Sequence, residues 1–272
     1  MTAAAAPEAA PGRTVDLWWA RPDDASARLA ALLDPVERGR YEATADPVNA
    51  AQFLVGCALS RVVLGELLGL APAEVPLRRV CPRCGGPHGK VTLATATATA
   101  TGTETATGTE TTTATGTETA TDVRFNVSHS GGIVALAVCR GADVGLDVED
   151  AATTVDVDKV APRALTGTEL AALRARPPAG RPAAFLRYWT RKESVLKALG
   201  VGLRIPLRRL EVTDPALPPA VVSLPEQITT CRELRMADTV VDRTHPASVS
   251  VAGTTEVILV QHRASALLGA WR

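Results

Sequence analysis

Tyr188-Trp189-Thr190-Arg191-Lys192-Glu193-Ser194-Val195-Leu196-Lys197-Ala198-Leu199-Gly200-Val201-Gly202 is the stretch on which the reading of this chain turns. Trp189, Val195, Leu196 and Leu199 recur at helical spacing, which predicts a helix over 183–199 with an apolar stripe. Gly200 and Gly202 end it, as glycines commonly do at helix C-termini. Glu193 and Lys197 are four residues apart, so both side chains leave the helix on one face. A carboxylate and an ammonium one turn apart can hold a metal ion and a phosphate side by side. An ordinary surface ion pair is the other reading of the same spacing.

A second constellation lies upstream. Phe125-Asn126-Val127-Ser128-His129-Ser130-Gly131-Gly132 leads into the apolar run 133–138, and Val144-Gly145-Leu146-Asp147-Val148-Glu149 follows a glycine-containing turn. Strand alternation puts Asp147 and Glu149 on one face and Leu146 and Val148 on the core side. With Glu193 they form a set of hard oxygen ligands suited to Mg²⁺, which takes few carboxylates beside substrate phosphates. Ser128, His129 and Ser130 with the glycine pair read as an anion-binding turn. A Ser-His hydrolase is disfavoured, because adjacent residues rarely place hydroxyl and imidazole for proton transfer and no Gly-x-Ser-x-Gly elbow surrounds Ser128.

These three motifs, in this order, resemble the 4′-phosphopantetheinyl transferases, in particular the larger, surfactin-synthetase-activating type. The resemblance extends more weakly from about Leu32 to Leu259. It implies an α/β (α+β) fold of two similar halves related by pseudo-twofold symmetry, with coenzyme A between them. It implies transfer of phosphopantetheine from coenzyme A to a serine of an apo acyl or peptidyl carrier protein, releasing adenosine 3′,5′-bisphosphate. On that reading Asp147, Glu149 and Glu193 hold Mg²⁺, Glu193 is the base, and Lys197 stabilises charge on the leaving phosphate. Arg40, Lys90, Ser128, His129, Lys192 and Lys197 are the candidate contacts to coenzyme A and its phosphates, Ser128 and His129 at the adenosine 3′-phosphate. The chain departs from the family at Gln52, where a basic residue is usual, and at Val91, where the family's Gly-Lys-Pro has proline. Two rivals remain: another Mg²⁺-dependent phosphoryl-transfer or hydrolytic enzyme, and a non-catalytic coenzyme A or nucleotide-binding module.

Composition narrows the setting. The 272 residues carry 29 acidic and 29 basic side chains, so no charge excess points to nucleic acid or membrane. Only 4 of the 29 basic residues are lysines, which makes Lys90, Lys192 and Lys197 stand out. No run of 18 apolar residues suggests a membrane span. Five cysteines without a regular framework fit reduced thiols and a cytoplasmic protein. A monomer is expected, since both halves sit in one chain.

The organisation expected is a disordered tail over 1–14, an N-terminal half over 15–142 and a C-terminal half over 143–265 carrying the metal site. The Thr-Ala and Thr-Gly-Thr-Glu repeats of 94–121 read as a loop-like insertion without assigned function. Cys81, Cys84 and His88 favour a tight turn with free thiols over zinc, because a structural zinc site usually needs four ligands. Helices are expected over 25–33, 50–68, 156–163 and 166–174, with another starting at 35–41. Short strands over 210–213, 220–224, 231–236, 247–251 and 257–261 suggest an antiparallel sheet in the C-terminal half.

Overall fold

The computed structural model describes residues 12–79, 85–86, 89–94, 122–226, 228 and 233–271. The Cys81, Cys84 and His88 cluster, nearly all of the Thr-rich insertion and most of the N-terminal tail lie outside them. The elements in chain order are β1 (Arg13–Ala20), α1 (Pro35–Glu42), α2 (Pro47–Leu68), β2 (Leu77–Arg79), β3 (Val91–Leu93), β4 (Val123–Ser130), β5 (Ile133–Arg140) and β6 (Val144–Val148). There follow α3 (Val157–Ala164), α4 (Gly167–Ala175), α5 (Arg181–Ala198), β7 (Glu211–Val212), β8 (Val221–Ser223), β9 (Leu234–Val241), β10 (His245–Ala252), β11 (Val257–Arg263) and α6 (Ser265–Gly269). The helix expected over 25–33 is a 3₁₀ turn, Ala27–Leu32.

Two sheets carry the mixed α/β fold. One runs β11-β1-β5-β4 and the other β6-β10-β9. The apolar run of β5 is buried on both faces. Val134, Leu136 and Val138 meet the α2 side, while Ile133, Ala135, Ala137 and Cys139 meet Val144, Leu146, Val148 and Val249 of the second sheet. Strand alternation thus produces two cores from one stretch of sequence. Helix α2 covers the outer face of the first sheet, and α5 packs on β6 and β10 of the second.

Helix α2 starts on Asp46, whose carboxylate accepts the Asn49 N–H, with Pro47 in the first turn. It ends at Gly69, which is left-handed at φ 68°. Its 22 residues are long and apolar enough by composition to cross a membrane, but 61% of the most apolar window is buried inside the protein. Its hydrophobicity therefore serves the core.

The C-terminal strands do not all join one antiparallel sheet. β9 and β10 form the second sheet with β6, and β7 pairs with β8 apart from it. β11 crosses back and pairs with β1 in parallel, Leu17 opposite Gln261 and Trp18 opposite His262. Periodicity shows that a segment is extended but not which edge it completes.

Candidate active site

The site lies where the edge strands of the two sheets, β4 and β6, run side by side under α5. A Cβ on Gly145 would collide with the α5 backbone at Ser194, Lys197 and Ala198, so only glycine lets strand and helix approach this closely. The approach carries Lys197 onto Asp147. The Lys197 Nζ lies 2.6 Å from Asp147 Oδ1 and also donates to Ser128 Oγ at 3.1 Å. Ser128 Oγ donates to Asp147 Oδ1 at 3.3 Å and accepts the Val148 N–H at 3.3 Å. Two residues on, Ser130 Oγ donates to Glu149 Oε2 at 2.9 Å.

Asp147 is only 4% exposed. Burial pushes its carboxyl up to about 7; Lys197 opposes this through charge and hydrogen bond, and Glu149 and Glu193 add to it. Burial also raises the Glu193 carboxyl, with Lys197 opposing and Glu149 adding. Three carboxylates thus act on one another with one ammonium among them. Asp147 Oδ2 is buried without a hydrogen-bond partner. An orphaned carboxylate oxygen in a field of excess negative charge fits a bound cation, and the all-oxygen donor set fits Mg²⁺. Among the described residues no three Asp, Glu, His or Cys side chains are already gathered as a metal cluster. Lys197 holds Asp147 Oδ1 instead.

A cleft of about 760 Å³ opens beside these groups, between α2, the β2–β3 hairpin, β4 and the C-terminal end of α5. That volume suits a nucleotide-sized ligand. Phe53, Leu77, Val127 and Leu196 give it apolar walls, and Arg79, Lys90, His129, Lys197 and Arg204 give it cationic ones. Glu37 is the one carboxylate among the described lining residues, and it is tied to Arg61 at 2.7 Å. Lys90 Nζ donates to the Lys197 carbonyl at 2.9 Å, joining the hairpin to the end of α5. Partial desolvation and the Lys197 charge hold the His129 imidazolium below its ordinary range, with Glu149 opposing.

A family model described as the 4′-phosphopantetheinyl transferase superfamily matches residues 143–250, the span from β6 to β10 that carries Asp147, Glu149, Glu193 and Lys197. The 4′-phosphopantetheinyl transferase HetI of Nostoc sp. is 28% identical over 233 residues, which cover 86% of this chain and 84% of the relative. The chain is therefore similar to 4′-phosphopantetheinyl transferases along most of its length, and its span 143–250 matches the superfamily's own model. A phosphopantetheinyl transferase of Thraustochytrium sp. is 27% identical over 75% of this chain and 67% of its own length. A 4′-phosphopantetheinyl transferase of Bacillus subtilis is 36% identical over 34% of this chain and 39% of its own.

Several sequence expectations need correction. Lys192 does not reach a phosphate. It is 0% exposed, donates to the carbonyls of Ala164 at 2.8 Å and Leu207 at 3.1 Å, and is ion-paired with Glu169. It sits one residue before Glu193, and 100° of helix rotation turns it into the interior. Ser128 does not line the cleft either. Residues 128–130 belong to β4 and not to a turn, so alternation sends Val127 and His129 to the cleft and Ser128 to the seam with β6. With Asp147, Val148 and Lys197 as partners, its hydroxyl has no capacity left for a phosphate. Arg61 of α2 is 1% exposed and ties Asp34, Glu37 and the Val75 carbonyl together, so its charge is spent inside the fold.

Arg40 lies over the Phe53 ring at 5.8 Å, beside the cleft wall. Gln52 and Val91, the two departures from the family pattern, both line the cleft. Sequence reading missed Arg79 and Arg204. Arg79 sits in a three-residue strand with no motif around it, and Arg204 follows the glycines that end α5. Neither position carries a signal beyond its charge.

Proposed function

We propose that this protein moves the 4′-phosphopantetheine group of coenzyme A onto a serine of an apo acyl or peptidyl carrier protein in a Mg²⁺-dependent reaction. The observation that carries the proposal is the junction of two features. Asp147, Glu149 and Glu193 act on one another through charge around Lys197, and Lys197 itself lines the basic cleft. A pyrophosphate substrate needs its charge balanced at one end of its site and its nucleotide held in the rest.

The carrier serine Oγ attacks the phosphorus that bears the pantetheine arm. A new serine P–O bond forms, and the pyrophosphate P–O bond breaks. Adenosine 3′,5′-bisphosphate leaves. Glu193 takes the serine proton, directly or through one water. Burial raises the proton affinity of Glu193 above that of a free carboxylate in the metal-free protein, with Lys197 opposing. The Lys197 ammonium stabilises charge on the departing phosphate. Asp147, Glu149 and Glu193 would hold Mg²⁺, which when bound supplies neutralisation of the pyrophosphate oxygens. Lys90, Arg79, Arg204 and His129 would orient the phosphates and the nucleotide through their placement on the cleft walls.

The larger, surfactin-synthetase-activating type is the favoured subclass, because both walls of the cleft come from one chain. The same feature supports a working monomer. A cytoplasmic setting is in keeping with the free thiols of Cys57 and Cys139.

The test is intact-mass analysis of an apo carrier protein incubated with this chain, coenzyme A and Mg²⁺. One added phosphopantetheine, abolished by EDTA, is the expected result. No addition on several carriers despite coenzyme A binding would favour a binding module. Cleavage of coenzyme A without a carrier would favour another phosphoryl-transfer enzyme.

A further inference from the structure

The edges of the two sheets are joined by side chains where main-chain pairing would be expected. Three alternate residues of β4 each accept a backbone N–H from the strand that runs through β6. Asn126 Oδ1 accepts from Leu146 at 2.9 Å, Ser128 Oγ from Val148 at 3.3 Å, and Ser130 Oγ from Asp150 at 3.2 Å. Donor and acceptor are twenty residues apart on every rung. The ladder satisfies three N–H groups that an edge strand would otherwise leave open.

The ladder also fixes where the serine hydroxyl protons go. A hydroxyl oxygen that accepts an N–H has its own O–H left to donate. On the second rung that O–H meets Asp147, and on the third it meets Glu149. The two rungs differ in what else they hold. Ser128 shares Asp147 with the Lys197 ammonium, so that carboxylate has two fixed donors. Glu149 has Ser130 on Oε2 at 2.9 Å. Glu149 lies one residue beyond the end of β6, where its own N–H still donates to the Pro246 carbonyl at 3.0 Å, so its backbone is fixed and the side-chain direction is what Ser130 adds.

Ser130 is itself held firmly. It ends β4 against Gly131, which is left-handed at φ 49° and whose missing Cβ leaves room for Asp150. His245 Nε2 donates to the Gly131 carbonyl at 3.1 Å. The turn is therefore tied to β10 as well as to β6.

We propose that Ser130 is a positioning residue for Glu149. Its hydroxyl accepts the Asp150 N–H and donates to Glu149 Oε2, and so fixes the direction in which Glu149 presents its carboxylate to the catalytic cation. The inference rests on the reading of Glu149 as a ligand of that cation. A carboxylate without its supporting donor spends part of its time in other rotamers, and loss of such a supporting hydrogen bond typically weakens metal binding about 10- to 100-fold.

The test is calorimetric titration of MgCl₂ into the full chain with coenzyme A present, for wild type, Ser130→Ala, Ser130→Thr and Glu149→Gln. Coenzyme A affinity in EDTA is measured alongside. The expected result is Mg²⁺ affinity about tenfold weaker in Ser130→Ala, near wild type in Ser130→Thr, and weakest in Glu149→Gln, with coenzyme A affinity in EDTA unchanged. Adding Ser130→Ala to Glu149→Gln should weaken binding no further, because the serine acts through the carboxylate. Where Ser130→Ala does not fold, the near-isosteric Ser130→Cys, a weak donor, takes its place with the same expectation. Weak binding in Glu149→Gln with normal binding in Ser130→Ala would overturn the positioning role alone. Normal binding in both, or no Mg²⁺ uptake by wild type, would overturn the ligand reading and the positioning role with it.

Discussion

At the scale of single residues, Glu193 and Asp147 carry the sharpest expectations. Glu193→Gln keeps the size of the side chain but removes its basicity. Coenzyme A binding should persist while transfer to a carrier falls by about 10²–10⁴-fold, the usual contribution of a positioned base. Full transfer activity in the purified variant would remove Glu193 from that role. Asp147 allows a separate test without metal. Its carboxyl is raised from 3.8 to about 7, so across that window the folded protein binds a proton that the unfolded chain releases. Protons bound by the native state outnumber those bound by the unfolded state, and folding stability contributed by this group falls as pH rises from about 4 to 7. Urea denaturation in EDTA at both ends of the window should show a shallower decline in Asp147→Asn than in wild type. Identical slopes would mean that Asp147 is already ionised in the folded metal-free protein. The residue types at this site were legible in the sequence, since Asp147, Glu149, Glu193 and Lys197 stand in recognisable spacing. That Lys197 bonds directly to Asp147 was not, because fifty residues of chain separate the pair.

At the scale of elements, the packing of α5 on β6 decides whether the site exists. Gly145→Ala places a methyl group inside the α5 backbone, and neither partner can yield without moving a carboxylate or Lys197. Overpacking of this kind costs about 1–3 kcal/mol and sometimes more. Reduced stability in urea together with reduced transfer is expected; a variant of unchanged stability and activity would show that strand and helix separate readily. On the opposite side of α5, Lys192→Met should be a stability variant and not a binding variant. It leaves buried Glu169 without its ion pair, for a loss of about 3–5 kcal/mol. Coenzyme A affinity, measured where the variant is still folded, should equal that of wild type. Helix existence was legible here from periodicity and glycine stops, but the roles of adjacent residues were not. Lys192 and Glu193 are consecutive letters in the sequence, and only the angle at which α5 meets the sheet sends one to the core and the other to the site.

At the scale of the whole molecule, the cleft is bounded by α2 from one helix-and-sheet layer and by α5 from the other. A ligand that fills it touches both layers and should stabilise them together. At a coenzyme A concentration of about 100 times its dissociation constant, linkage gives about 2.7 kcal/mol, or several degrees in melting temperature. The gain should shrink as salt rises, because Arg79, Lys90 and Arg204 offer charge that ions of the buffer screen. A salt-independent shift would place binding on the apolar wall instead. The parallel return of β11 onto β1 belongs to this scale too: it makes residues 257–263 part of the first sheet, beside strands from the other end of the chain.

What the sequence by itself determined were the properties that depend on near neighbours along the chain. These are the approximate extent of α2 and α5, the apolar run of β5, and the spacing of Asp147, Glu149, Glu193 and Lys197 along the chain. Helical and strand periods are short-range facts, and a few residues suffice to express them. Only the tertiary structure decided the serine ladder between β4 and β6, the interior fate of Lys192 and Arg61, the place of Arg79 and Arg204 on the cleft wall, and the sheet that β11 completes. Each of these depends on which surfaces meet across long stretches of chain, and burial of a charge or hydroxyl is settled by the partner it finds there.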